Sequence, residues 1–169
     1  MANSIKFVAM EEQDVEELVP IMKRAFDEDT RIHLGKEAGG PPGYDDGSFL
    51  RHWGFHPQCT SFKIYNDEAL IGGVILWIHS RNENCLGTIF LDADLENKGI
   101  GTEVWKKIED MYPDTVTWST ETPIFSRRNH HFYINKCGFH CIEIKNPKNP
   151  EEGCFVLKKE MKPQVTKQI

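Results

Sequence analysis

No apolar run in this chain approaches the ~20 residues that a membrane-spanning helix needs, so a helical membrane protein is not expected. The opening MANSIKFVAM lacks a basic stretch followed by an apolar one. No secretory signal is read there, and a cytoplasmic location is expected. Positive charge is in deficit. Against 26 Asp and Glu stand 20 Lys and Arg, and the net charge of −6 argues against nonspecific nucleic-acid binding. Paired cysteine clusters are missing as well. Cys59, Cys85, Cys137, Cys141 and Cys154 are odd in number and are expected as free, mostly buried thiols. Cys137-Gly-Phe-His140-Cys141 carries ligand-type residues, but no second cluster lies at finger spacing, so no metal is expected. Internal repeats and low-complexity runs are absent. So are two common phosphate loops. Lys98 precedes Gly99 rather than following a GxxxxGK[ST] spacing, and Val104 stands where a dinucleotide fingerprint needs its third glycine.

What is present is a glycine pair between a strand and a helix. Residues 85–91 (CLGTIFL) read as a buried strand. Ile100, Val104, Trp105, Ile108 and Met111 then fall at helical spacing. Between them lie Glu96, Asn97, Lys98, Gly99, Ile100, Gly101 and Thr102. Glycines let the backbone come close, and the first N–H groups of a helix face an anion with the dipole behind them. The loop predicts a phosphorylated ligand, with an ordinary turn into a helix as the alternative. Lys98, Lys106 and Lys107 flank it, while Arg127, Arg128 and Lys136 lie further on.

The rest of the chain reads as strands at 5–9, 61–65, 70–79, 116–119, 139–145 and 154–159, and helices at 12–26, 100–112 and 128–137. Gly72-Gly73 predicts a bulge or a close backbone approach. The Gly- and Pro-rich segment 27–57, with a short helix at 48–53, is expected to be a functional lid or a mobile insertion. With 169 residues and 39% hydrophobic content the chain makes one domain, residues 1–162, and a frayed tail at 163–169.

A second motif follows: Ser126-Arg-Arg-Asn129-His-His-Phe132-Tyr133, then Lys136, Cys137, Gly138 and Phe139. Gly99-Ile-Gly101 opening a helix, followed by Phe132-Tyr133-x-x-x-x-Gly138-Phe139, resembles the GNAT superfamily of acetyl-CoA-dependent N-acetyltransferases. The resemblance runs from Ile5 to about Lys159 and implies an α/β fold: one GNAT-like domain with a central, mostly antiparallel mixed sheet of about seven strands and helices on both faces. It implies acetyl-CoA as co-substrate, without a metal. Pantetheine would enter a gap between the fourth and fifth strands and meet the backbone near Phe90, Leu91 and Asp92. The diphosphate would rest on Asn97 to Thr102, and Ser126, Asn129, Phe132 and Lys136 would line the coenzyme. Two positions depart from the family pattern. Glu96 stands where Gln or Arg is usual, and Ser126 where Asn is frequent.

The resemblance also implies a role for Tyr133 as proton donor to the departing thiolate. Direct transfer further needs a group to take the amine's proton, since an alkylammonium has a pKa near ~10. The fourth strand holds no acid before Asp92, which leaves His79, Asp92, Glu121 or a chain of waters. Tyr44, Asp45, Asp46, His52, Trp53, His56, Trp77, Trp118 and Phe125 are candidates for the acceptor pocket, against a plain reading of core tryptophans and a solvated Tyr-Asp-Asp-Gly turn. The expected activity is acetyl transfer from acetyl-CoA to a primary amine of a small molecule or a protein terminus in a ternary complex. The alternative is a non-catalytic coenzyme-A-binding module. A homodimer is compatible with the exposed edge strands of such a sheet.

Overall fold

A computed structural model describes residues 3–95 and 99–161 of the chain. Among these, seven strands form one sheet in the order β1-β2-β3-β4-β5-β7-β6. They are β1 Ile5–Ala9, β2 Cys59–Asn66, β3 Ala69–Trp77, β4 Glu83–Leu91, β5 Thr117–Pro123, β6 His140–Lys145 and β7 Cys154–Glu160. All neighbours are antiparallel except β4 and β5. The helices are α1 Val15–Leu34, α2 Ser48–Gly54, α3 Ile100–Met111 and α4 Arg127–His130, the last continuing as a π-helical turn, His131–Lys136.

Strand alternation splits the core into two layers. Val74, Leu76, Leu86, Trp118 and Leu157 point to one face and pack with Val104, Trp105 and Ile108 of α3. Ile75 and Phe90 point to the other and pack with Leu18, Ile21 and Met22 of α1 and Leu50 of α2. Trp105 and Trp118 meet edge to face at 5.1 Å. Each such fully buried large side chain contributes about 1.5–3 kcal/mol against leaving it in water. Trp118 is therefore core rather than acceptor pocket.

The sequence placed the end of the first helix at residue 26, but α1 runs on to Leu34 and stops at Gly35, whose φ is 68°. The added turns bury Asp29, Thr30 and His33, a polar stripe that a hydrophobic pattern does not register. The Gly- and Pro-rich segment then folds back on α1. The Thr30 hydroxyl donates to the Gly39 carbonyl at 2.9 Å, and Asp27 accepts from the Gly39 N–H at 3.1 Å and the Tyr44 hydroxyl at 2.5 Å. Burial and the Asp27 carboxylate push the Tyr44 phenol up to about 12. These ties pin the near end of the segment, and Asp46 closes the turn by accepting from the Ser48 N–H and hydroxyl.

At Gly72 the expected close approach is present. A Cβ there would sit 2.0 Å from the Phe90 carbonyl oxygen. A register shift between Ile64 and Tyr65 leaves Ile71 unopposed on β3, and a second between Ile75 and Leu76 leaves Gly87 unopposed on β4. The Gly87 shift reverses which β4 residues face each layer. β5 continues past its expected end to Pro123, where proline is tolerated because the strand stops there.

Candidate active site

β4 and β5 register only from Glu83–Thr117 to Cys85–Ser119. One more tie, from the Thr120 hydroxyl to the Leu86 carbonyl at 2.9 Å, closes the vertex. Beyond it the two strands diverge without further pairing among the described residues. The Asp92 N–H donates to the Ile71 carbonyl at 2.7 Å, on the β3 side. Antiparallel pairing alternates, so Phe90, opposite Gly73, also turns its backbone to β3. The N–H groups of Ile89 and Leu91 consequently face the opening.

A cavity of about 840 Å³ fills that opening, well within the range of ligand clefts. At its far end α3 begins. Gly99 precedes it with φ 73°, a conformation in which a side chain is strained, and a Cβ there would meet nothing within 4 Å. The Glu103 N–H already donates to the Gly99 carbonyl at 3.3 Å, which leaves the N–H groups of Ile100, Gly101 and Thr102 without an intrahelical partner. Over this turn lies the Phe132 ring, 3.0 Å from where a Gly101 Cβ would be. The two sequence motifs thus meet in space at one contact.

The π-helical turn places Tyr133 on the cavity wall. Single π turns inside helices recur at functional sites, because the wider turn re-aims a side chain. Tyr133 is 7% exposed, and its hydroxyl has no hydrogen-bond partner among the described residues. Burial, with lesser contributions from Cys137 and Asp29, raises the phenol above its usual range. One helical turn on and outside the cavity lining, the Cys137 thiol is pushed up to about 12 by burial in the core.

Of the residues singled out in the sequence, Leu91, Asp92, Gly99, Ile100, Gly101, Thr102, Asn129, Phe132, Tyr133 and Lys136 line the cavity. Phe90 and Ser126 do not. Phe90 turns its ring to the α1 layer, where a Gly73 Cβ would sit 2.8 Å from it. Ser126 is fully buried and its hydroxyl donates to Asp29 at 2.9 Å. Glu96, Asn97 and Lys98 lie outside the described residues. Ile89, Leu95, Glu103 and His131 line the cavity without having been singled out. Among the cations, Arg128 and Lys136 reach it, whereas the Lys107 ammonium is spent on the Ile5 carbonyl at 2.7 Å.

Of the three side chains considered as proton acceptors, Asp92 lines the cavity but is already paired, and Glu121 and His79 do not line it. Arg24 binds Asp92 at 2.9 Å and holds its carboxyl below the usual range. Glu121 pairs with Lys145 at 2.5 Å. His79 is exposed beyond Trp77, the β3 residue that pairs with Cys85 at the vertex. A fourth carboxylate, absent from the sequence reading, lies behind the site. Asp29 lines a smaller pocket of about 130 Å³ with Ala25, Phe26 and Phe90. That pocket shares Ile89, Leu91, Arg128 and Asn129 with the larger cavity, so the two adjoin across the splay. Trp53, His56 and Trp77 cluster further along the same face, with His56 and Trp77 4.9 Å apart.

The profile of the acetyltransferase (GNAT) family matches residues 19–139. YrkN of Bacillus subtilis, a protein described as uncharacterised, is 43% identical over 91 residues, which are 53% of this chain and 49% of that protein. The chain therefore spans about half the length of this relative. Among solved structures, the PaiA N-acetyltransferase of Thermoplasma acidophilum in complex with coenzyme A superposes with a TM-score of 0.73 at 16% identity, covering 94% of this chain and 99% of that one. The ribosomal-protein-S18-alanine N-acetyltransferase of Escherichia coli gives 0.71 at 14% identity, covering 99% of both chains. The spermidine N-acetyltransferase of Vibrio cholerae, with coenzyme A and spermine, gives 0.66 at 12% identity over 92% of this chain and 95% of that one. At such identities the likeness is one of fold alone.

Proposed function

The chain belongs to the GNAT family of acetyltransferases, and from that premise we propose that it transfers the acetyl group of acetyl-CoA directly to a primary amine. The observation that carries this reading is the splay between β4 and β5, with two strand N–H groups facing a cavity that ends on the open N-terminus of α3. The residues present fit the coenzyme. The unpaired N–H groups of Ile100, Gly101 and Thr102 suit a diphosphate, with the helix dipole behind them. Arg128 and Lys136 bring positive charge to a chain that is acidic overall. The Ile89 and Leu91 N–H groups offer a strand edge to the amides of pantetheine, as an added β-strand would use it.

When bound, the coenzyme supplies an activated acyl group as a thioester. The protein's share is to position it, to hold an N–H near the carbonyl oxygen where negative charge grows, and to keep water out. Tyr133 holds a hydrogen on the cavity wall. Burial makes a phenol a weaker acid, and shielding from water makes a departing thiolate a stronger base too, so the two shifts offset each other in a proton transfer between them.

The test has two parts. Calorimetry with acetyl-CoA reads binding. A thiol-release assay against alkylamines, polyamines and alanine-terminated peptides reads transfer, with mass detection of the acetylated product. Release above the hydrolytic background with any amine supports the reading. Binding without release from the whole panel would leave a coenzyme-A-binding module instead.

A further inference from the structure

We propose that the 130 Å³ pocket beside Asp29 is the seat of the acceptor's amino group, and that the Asp29 carboxylate takes the proton that the nitrogen sheds on acetylation. This rests on the acetyltransferase reading above and names the part of the site that handles the nucleophile.

The argument begins with how Asp29 is held. Its side chain is 12% exposed, on the inner face of α1. Three groups converge on Oδ1: the Ser126 hydroxyl at 2.9 Å, His33 Nε2 at 3.5 Å and an Arg128 guanidinium nitrogen at 3.7 Å. No described residue donates a hydrogen bond to Oδ2. It is not sealed from solvent either, unlike the buried Nδ1 of His33 and hydroxyl of Thr122, which lack partners. One oxygen therefore anchors the carboxylate and the other is left open in a pocket that Asp29 itself lines. Carboxylates are seldom buried without a purpose for both oxygens.

Position supports the assignment. The pocket adjoins the larger cavity through Ile89, Leu91, Arg128 and Asn129, on the α1 side of the splay, whereas the N-terminus of α3 lies at the cavity's other end. A nucleophile seated there would approach the acyl carbon from the side opposite the coenzyme's diphosphate. At about 130 Å³ the pocket has room for an amino group and the carbon that bears it, and it opens into the larger cavity, where the rest of an acceptor would lie.

Charge fits the neutral amine. Arg128 offsets part of the Asp29 charge, so the pocket does not trap an ammonium ion as a permanent pair. The charged and titratable groups facing Asp29 are His33 from α1, Arg128 from α4 and Tyr133 from the π-helical turn, while Arg127 and His130 of α4 act on His33 behind it. Desolvation lowers the His33 imidazole below its ordinary value, which keeps it neutral behind the carboxylate. The step balances. The amine lone pair forms the C–N bond to the acyl carbon while the C–S bond breaks. The surplus proton on nitrogen passes to Asp29 Oδ2 and on to solvent, and the sulfur leaves as thiol with a proton from Tyr133, which solvent restores. Once acylation begins the nitrogen becomes far more acidic than an alkylammonium, so a carboxylate is a sufficient acceptor.

Two variants test this with propylamine, 2-methoxyethylamine and 2,2,2-trifluoroethylamine, whose conjugate acids differ widely in acidity, together with any amine from the panel above that reacts. Asp29→Asn is expected to lower kcat/KM at neutral pH by about 100-fold or more, the scale of lost acid–base assistance, with coenzyme A affinity within twofold. The loss should shrink as pH rises and for the least basic amine, a pattern that mere loosening of α1 would not produce. Ala25→Leu fills the pocket without touching the carboxylate or the helix preference. It should raise KM for the amine at least tenfold and leave coenzyme binding intact. Active wild-type protein with Asp29→Asn within threefold of it, or with Ala25→Leu unaltered in KM, overturns the assignment while the acetyltransferase reading stands. Wild-type protein that transfers to no amine overturns both.

Discussion

Replacing Tyr133 by Phe separates a catalytic tyrosine from a structural one, because the two roles predict opposite changes in stability. The phenol is 7% exposed, and no described residue bonds its hydroxyl. Burying a hydroxyl without a partner costs about 1–3 kcal/mol, part of which a cavity water recovers. Tyr133→Phe keeps the ring contacts with Phe132 and Phe139, whose centroids lie 5.2 and 5.7 Å away. Its net effect on stability is therefore between zero and a gain of about 1 kcal/mol. For a domain of this size that is a Tm unchanged or raised by up to about 4 °C.

The expected effect on turnover runs the other way. In water a thiolate with a pKa near ~8.5 leaves without help. A thiolate departing into a cavity partly shielded from water is a stronger base than in water, so unassisted departure is slower and a donor matters. A positioned acid is worth ~10²–10⁴ in rate, and the low end applies because the donor is itself weakened by burial. A fall in kcat of about 100-fold is expected in the thiol-release assay at saturating acetyl-CoA. The calorimetric Kd should stay within twofold, since the ring that lines the cavity is retained. Unchanged kcat would remove Tyr133 from the chemistry. A Tm lowered by more than about 4 °C would mean that the hydroxyl is bonded and structural.

Three further outcomes follow from the geometry. Gly101→Val pushes three carbons toward a Phe132 ring that would already lie 3.0 Å from the first. Displacing that ring and crowding the α3 amides should cost one or two charge-assisted hydrogen bonds to the diphosphate, about 2–4 kcal/mol, or a 30- to 1,000-fold rise in Kd for coenzyme A; an unaltered Kd by calorimetry would count against the cradle. Gly72→Ala places its methyl 2.0 Å from the Phe90 carbonyl oxygen, and either β3 or β4 must shift; a loss of about 2 kcal/mol is expected in urea melts, and full retention of stability would mean the strands separate at no cost. Asp14→Asn addresses acid stability. Burial alone would raise the Asp14 carboxyl, but Lys63 at 2.8 Å and the Glu11 N–H hold it below its ordinary value. A depressed folded value adds stability that is complete above the unfolded pKa of about 4 and is lost as pH falls through the lower folded one. The variant should be less stable at neutral pH and show a shallower decline as pH falls below about 4, and an acid limb identical to wild type would remove the pair from the account.

What the sequence made legible was local. Gly99, Gly101, Phe132 and Tyr133 could be placed because each sits at a fixed offset within one turn or helix, and strand-period alternation marked the sheet. What it hid depends on register and on long-range pairing. Phe90 was grouped with Leu91 as a coenzyme contact, yet the two turn opposite ways, and the unopposed Gly87 reverses the facing of everything after it. A one-residue bulge carries no hydrophobic signature, so no periodicity argument could place it. Asp29 was hidden for a related reason. Its partner Ser126 is 97 residues away, and the extra turns of α1 that carry it are acidic and polar. Only a helix already known to continue makes Asp29 and His33 an i,i+4 pair.

The same contrast explains why the site sits at the one parallel pairing in the sheet. An antiparallel neighbour for the far half of β4 would take up the Ile89 and Leu91 N–H groups. A parallel neighbour reached through α3 can pair at the vertex and then leave. β5 stays anchored as it departs, since its other edge pairs with β7 along all seven of its residues. β4 is held just as firmly by β3. The open wedge is thus bounded by two strands that are each satisfied on their outer edge, and its unpaired donors persist because a ligand, rather than another strand, is what fits between them.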